Sequence, residues 1–142
     1  MNTSLNAVAK TALKAKPAAV WKALTDPAII KQYFFGVDVE TDWKEGSSIV
    51  YKGEWKGKKF EDKGEILVFQ PEKLLKTTHW SPLSGTEDKP ENYHTVSYAL
   101  TAVDDGTELT ITQENNATEK EKDHSEQNWK MMLGGMKKVL EK

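Results

Sequence analysis

The last segment of the chain restricts the fold most. Trp129, Met132, Leu133, Met136 and Leu140 recur every three or four residues, a spacing that gathers them on one helix face of roughly 100°. Thr118 with Glu121 fits a capping box that starts this helix near Glu119. A lone apolar face needs a surface to lie on, and most of the stretch from Ser48 to Gln113 follows the two-residue period of β-strands. Projected upstream, the same helix face turns polar at Ser125 and Lys122. The helix is therefore expected to be clamped to a sheet along its C-terminal half, with its first turns over solvent or a cavity entrance. Gly134-Gly135 within it costs about 1 kcal/mol per glycine relative to alanine, and signals close backbone approach, a bend or local space.

The preceding elements follow from periodicity and breakers. Leu5 to Ala15 alternates, with Ala7, Ala9, Thr11 and Leu13 on one side, and predicts a half-buried strand. Pro17 suits the first turn of a helix over Pro17 to Leu24 that buries Val20, Trp21 and Leu24. Asp26-Pro27 ends it and starts a second short helix over Ala28 to Phe34. From Ser48, Ile49, Tyr51, Gly53 and Trp55 share a face, and Lys56-Gly57 is a hairpin turn. The return strand points Phe60, Asp62, Gly64, Ile66 and Val68 inward, which leaves Asp62 as a carboxylate on an apolar face. In the next strand Leu75, Thr77 and His79 face inward, because Lys76 on the other side prefers water.

The polar loop Ser81 to Asn92 carries Pro82, Gly85 and Pro90. It is long for a hairpin and of the kind that flanks a site mouth. Beyond it, Val96, Tyr98 and Leu100 point inward with His94 on the same face. Asp105-Gly106 reads as a type I′ turn into a strand that aligns Leu109, Ile111 and Gln113. The order β, α, α, five β, α predicts an α+β helix-grip fold: a curved six-stranded antiparallel sheet, two short helices, and a long C-terminal helix able to enclose a cavity.

Composition narrows the function. The 142 residues form one expected domain, 1–142, long enough to bury roughly two-thirds of the surface of the unfolded chain. With 20 basic and 22 acidic residues spread along the sequence, the net charge is −2, so nucleic acid is not an expected partner. No apolar run has the length of a membrane span or signal-peptide core. No membrane insertion is expected, and the absence of cysteine fits a cytoplasmic, reducing location. Only His79 and His94 can approach one another across adjacent strands, and no HxH or HExxH spacing occurs, so no metal is expected. The sequence also lacks a GxSxG elbow, a phosphate loop and a dinucleotide fingerprint, which argues against a cofactor and against an enzyme.

Taken together, these residues resemble the activator-of-heat-shock-protein-90 ATPase homologue family, within the START-like or SRPBCC superfamily. Val20-Trp21-Lys22-Ala23-Leu24-Thr25-Asp26-Pro27 is similar to its first-helix signature. Lys63-Gly64-Glu65-Ile66-Leu67, Pro71-Glu72-Lys73-Leu74-Leu75 and Thr78-His79 resemble its central strands. Asn128-Trp129 through Leu133, Lys137 and Leu140-Glu141 resemble its closing helix. The resemblance runs from about Val8 to Glu141 and specifies fold far better than activity. Tyr33-Phe34-Phe35 stands where many members carry a tryptophan, which alters that wall of the cavity. Eukaryotic co-chaperones of the family also carry a separate N-terminal domain that contacts the chaperone, for which 142 residues leave no room.

The expected function is non-covalent binding of a small, largely hydrophobic molecule, lipid-like or aromatic, between the sheet and the C-terminal helix. Tyr51, Trp55, Phe60, Tyr98, Trp129, Met132 and Met136 would desolvate it, and Asp62, His79, His94 and Gln113 would form a polar cluster that orients it. The plainer reading is that the polar groups satisfy one another and the methionines fill the core. The resemblance also implies a chaperone as an alternative partner, bound through the sheet exterior. Its third implication is an enzyme similar to cyclases of the superfamily, with Asp62 near a histidine as base. Oligomeric state has no signal in the sequence.

Overall fold

A computed structural model describes residues 5–34, 36–82 and 85–141, and for Trp55 the backbone alone. The first strand, β1 (Ala7–Leu13), leads into α1 (Pro17–Thr25) and α2 (Pro27–Tyr33). Asp26 separates the two helices: its carboxylate accepts the Ala28 N–H at 3.0 Å and caps α2. Then follow β2 (Asp38–Thr41), β3 (Ser48–Trp55), β4 (Lys58–Gln70), β5 (Leu74–His79), β6 (His94–Val103), β7 (Gly106–Gln113) and α3 (Glu119–Leu140). The strands form one antiparallel sheet in the order β1-β7-β6-β5-β4-β3-β2.

The described residues thus hold seven strands, not the expected six. The added one, β2, is a four-residue edge strand in which only Val39 is buried, too short for its alternation to register as a period. Of the two hairpin turns, Lys56-Gly57 stands as expected and the other changes. Lys56 and Gly57 both have positive φ, at 50° and 81°, which is the type I′ geometry that matches strand twist. At the other hairpin the two-residue turn is Asp104–Asp105, neither with positive φ, and Gly106 already pairs with Val103. Gly106 serves a different need there, since a Cβ on it would lie 2.0 Å from the Leu13 carbonyl oxygen.

A bulge in β4 between Ile66 and Val68 shifts its register against β5. Ile66 stays inward opposite Thr77, but beyond the bulge Phe69, opposite Leu75, points to the core in place of the expected Val68. Its ring packs edge-on against Trp21 at 5.2 Å. The inward faces of the strands and the buried sides of α1 and α2 form a continuous apolar core.

The capping box at Thr118 sets the start of α3: the Thr118 hydroxyl accepts the Glu121 N–H at 3.1 Å, and Glu121 reaches back to the Ala117 N–H at 2.9 Å. The helix then runs beside β1 and covers its open edge. Glu126 accepts the Val8 N–H at 3.1 Å, Glu141 accepts the Lys14 N–H at 2.9 Å, and Lys137 donates to the Ala12 carbonyl at 3.2 Å. These side chains occupy backbone groups that would otherwise be available to pair with another strand. Gly135 lets α3 approach α2, where its added Cβ would meet Tyr33 at 3.4 Å. No helix among the described residues is long and apolar enough to cross a membrane.

Candidate functional site

Beneath the N-terminal half of α3 lies a cavity of about 160 Å³. Its apolar wall comes from three elements: Tyr51 on β3, Val96 and Tyr98 on β6, and Trp129 and Met132 on α3, with Phe34 completing it just after α2. The rings meet edge-on, Phe34 to Trp129 at 6.0 Å and Tyr98 to Trp129 at 5.9 Å, a favoured aromatic geometry. Asp62, Thr77, His79, Gln113, Ser125 and Asn128 supply the polar part of the lining.

Asp62 and His79 meet because β4 and β5 come very close near their ends. At Gly64, between Asp62 and the bulge, a Cβ would lie 1.7 Å from the Thr78 carbonyl oxygen. His79 Nε2 sits 3.0 Å from Asp62 Oδ2. Tyr51 faces Asp62 across β3 and β4, and its ring packs edge-on against His79 at 5.5 Å. Asp62 Oδ1 is buried without a hydrogen-bond partner among the described residues. Thr77, 1 % exposed, lies beside the Tyr51 phenol, but its Oγ1 lacks a well-formed hydrogen bond.

Burial dominates the tyrosines. It pushes the Tyr51 phenol up to about 12; Thr77 offsets part of the rise and the Asp62 charge adds to it. Burial also raises Tyr98 and Tyr33 well above the ordinary value. All three hydroxyls remain protonated donors across the physiological range.

Gln113 lines the cavity with its amide committed to partners within the protein. Its Oε1 accepts the Trp129 indole N–H at 2.8 Å, while Nε2 donates to Asn116 Oδ1 at 2.9 Å and Ser125 Oγ at 3.0 Å. Asn116 in turn donates to the Leu5 and Gln113 carbonyls at 2.6 and 2.9 Å. The amide is a strut tying β7 to α3, and it fixes the Trp129 ring as a wall.

Of the expected site residues, the structure brings together Tyr51, Asp62, His79, Tyr98, Gln113, Trp129 and Met132. Three lie elsewhere. Phe60 stands opposite Gly53 in the β3–β4 hairpin, where its ring covers the glycine. Met136, one turn beyond Met132, is fully buried in the packed core. His94 pairs in register with His79, but its Nδ1 donates to the Glu114 carbonyl at 3.1 Å. That bond holds its ring in an outer groove rather than in the cavity. The Trp55 side chain and Phe35 lie outside the described residues. Phe34, expected in the cavity wall from the resemblance, and Ser125, expected over a cavity entrance, also line it, whereas Thr77, Val96 and Asn128 were not expected as lining residues. Asn128 had a signal: it stands three residues after Ser125 and four before Met132, on the same helix face.

The outer groove, about 320 Å³, shares His79, Gln113 and Ser125 with the cavity and continues it toward solvent. The polar loop flanks it, as expected, through Ser81, Thr86, Glu91 and Asn92. That loop is tied down by Asp88, which pairs with Lys63 and accepts the Tyr93 hydroxyl at 2.6 Å. Among the described residues, no three His, Cys, Asp or Glu side chains are grouped to hold a metal ion.

A family model for activator of Hsp90 ATPase homolog 1-like proteins matches residues 14–141. No curated protein matches the chain. The solution structure of ChR145 from Cytophaga hutchinsonii is 55 % identical, with 99 % of this chain and 97 % of that one covered, at a TM-score of 0.86. CalU16 from Micromonospora echinospora is 23 % identical over 95 % of this chain and 75 % of its own, at a TM-score of 0.76. The Aha1 dimer from Colwellia psychrerythraea is 22 % identical over 95 % of each chain, at a TM-score of 0.73. At that identity the last two share the fold alone.

Proposed function

The chain belongs to the activator of Hsp90 ATPase homolog 1-like family, and from that premise we propose that it is a single-domain, non-enzymatic binding protein of the cytoplasm. It holds a small, largely hydrophobic molecule, lipid-like or aromatic, between the sheet and α3. One observation carries this reading: the about 160 Å³ cavity has aromatic walls and confines its ionisable Asp–His pair to the polar part of the lining. Binding pockets are built in this way, with a few polar groups among many apolar ones. Burial of the ligand against Tyr51, Tyr98, Trp129 and Met132 supplies the affinity, and Asp62 with His79 fixes its orientation.

Native mass spectrometry of freshly purified protein tests the reading, with a co-purifying small molecule as the expected result. A panel of hydrophobic compounds is expected to change the tryptophan fluorescence saturably, and Trp129→Ala to abolish that change while the fold is retained. No adduct and no saturable response across the panel overturns the proposal.

The family description favours a second reading, a chaperone-associated interaction module. Purified protein would then change the ATPase rate of a bacterial Hsp90-type chaperone, and Trp129→Ala would leave that effect intact.

A further inference from the structure

We propose that the cavity and its outer groove together select an organic cation: a single ring, or an apolar group of similar size, held among the aromatic walls and carrying an ammonium on its polar side. This proposal rests on the ligand-binding reading above and narrows it to a ligand class. Volume sets the first limit. An apolar cavity of roughly 150 Å³ takes up benzene, and the about 160 Å³ here accommodates a single ring with a small substituent.

Charge then chooses the substituent. The chain holds 20 basic residues, all of them lysine, yet among the described residues none lines the cavity or the groove. Carboxylates do: Asp62 in the cavity, Glu91 and Glu121 in the groove. The two spaces share His79, Gln113 and Ser125, so these charges act on one continuous volume. A cleft lined by one sign of charge, with low-dielectric walls, focuses its field on the ligand. The histidines offset part of it, His79 at 3.0 Å from Asp62 and His94 at 3.7 Å from Glu121. Even with both protonated, three carboxylates outnumber two imidazolium groups, and the lining stays negative. Lys63 lies over the Trp80 ring at 5.8 Å, but it is paired with Asp88.

The aromatic walls favour the same sign. Phe34, Tyr51, Tyr98 and Trp129 line the cavity, and the negative face of such a ring attracts a cation within about 6 Å of its centroid. The groove opens toward solvent and leaves the ammonium partly hydrated, which limits the cost of burying its charge. A neutral ligand of the same shape gains neither attraction. A carboxylate meets the same lining as like charge.

Isothermal titration calorimetry of the full chain with benzylamine, benzyl alcohol and benzoate, at neutral pH and low salt, reads the selection directly. Benzylamine, an ammonium at that pH, is expected to bind at least about 10-fold tighter than benzyl alcohol, with benzoate weakest. Asp62→Asn keeps the shape and removes the charge inside the cavity, so the preference for benzylamine over benzyl alcohol is expected to fall to about 3-fold or less. Glu91→Gln combined with Glu121→Gln removes the groove charges while a glutamine still serves the capping box, and is expected to lower the preference by a smaller factor. An unchanged ratio in Asp62→Asn, or in the groove double variant where Asp62→Asn does not fold, overturns the proposal. Equal binding of benzylamine and benzyl alcohol, or benzoate binding tightest, also overturns it while leaving the cavity as a binding site. Failure of all three to bind overturns this proposal, and it counts against the broader reading only if the wider hydrophobic panel is also silent.

Discussion

From Met132 to Met136, α3 lies against a filled interior. Met132, Leu133 and Met136 are buried, Gly135 rests on Tyr33, and the void beside Leu24, Ile30 and Leu75 measures only about 20 Å³. From Ser125 to Trp129 the same helix covers about 160 Å³ of space and presents Ser125, Asn128 and an indole to it. Tyr51, Tyr98, Phe34 and Met132 border both regions and partition them. One helix thus packs the core with one half and roofs a cavity with the other. The change occurs where its apolar stripe gives way to polar residues.

This contrast is breakable by substitution. In the filled half, Met136→Ala is expected to cost about 2–5 kcal/mol, as buried large-to-small changes do, measured by chemical denaturation, with ligand response unchanged at temperatures where the variant is folded. A loss below about 1 kcal/mol would mean that this half is not close-packed.

The partition itself titrates. Tyr51 ionises near 10 when unfolded and about 12 when folded, so its contribution is complete below pH 10 and is lost as pH rises through 12. A shift of that size corresponds to an order of 2–3 kcal/mol. Stability is expected to fall across that window, and Tyr51→Phe to make the fall shallower. An unchanged slope would place Tyr51 in contact with water.

At the boundary, Trp129→Phe keeps a ring but leaves Gln113 Oε1 without its donor, with an expected cost of about 1–3 kcal/mol. Stability equal to wild type would show that the Gln113 strut does not tie α3 to β7. Smallest of all is Thr77→Val in the open half. Removing a buried hydroxyl without a well-formed bond is expected to leave thermal stability unchanged or raised by up to about 1 kcal/mol. A loss above about 1 kcal/mol would reveal a hydrogen bond to Tyr51 that matters to folding.

Much of this architecture was readable from residue pattern. The two short helices, the inward faces of β3, β5, β6 and β7, and the polar turn in the α3 stripe all follow from spacing that local physics enforces. β2 was not readable, because one buried valine in four residues carries no period. Nor was the inward position of Phe69, since a bulge shifts register through pairing with β5 and leaves no local signature. The site divides in the same manner. Tyr51, Asp62, His79, Tyr98 and Gln113 were placed by strand alternation, which decides the face of the sheet. Position along the strand decides the rest: His94 shares the face but stands at the strand end, and Phe60 lies out along its hairpin over Gly53. Whether Gln113 is free or committed depends on Asn116 and Ser125, partners that only the fold brings to it.

The division of α3 is tested most directly by NMR, with the Trp129 indole N–H and the Met132 and Met136 methyl groups followed during titration with each compound of the hydrophobic panel. Saturable shifts are expected at Trp129 and Met132, with Met136 unmoved. Shifts of equal size at Met136, or no saturable shift at Trp129 and Met132, would contradict a helix that is open over one half and sealed over the other.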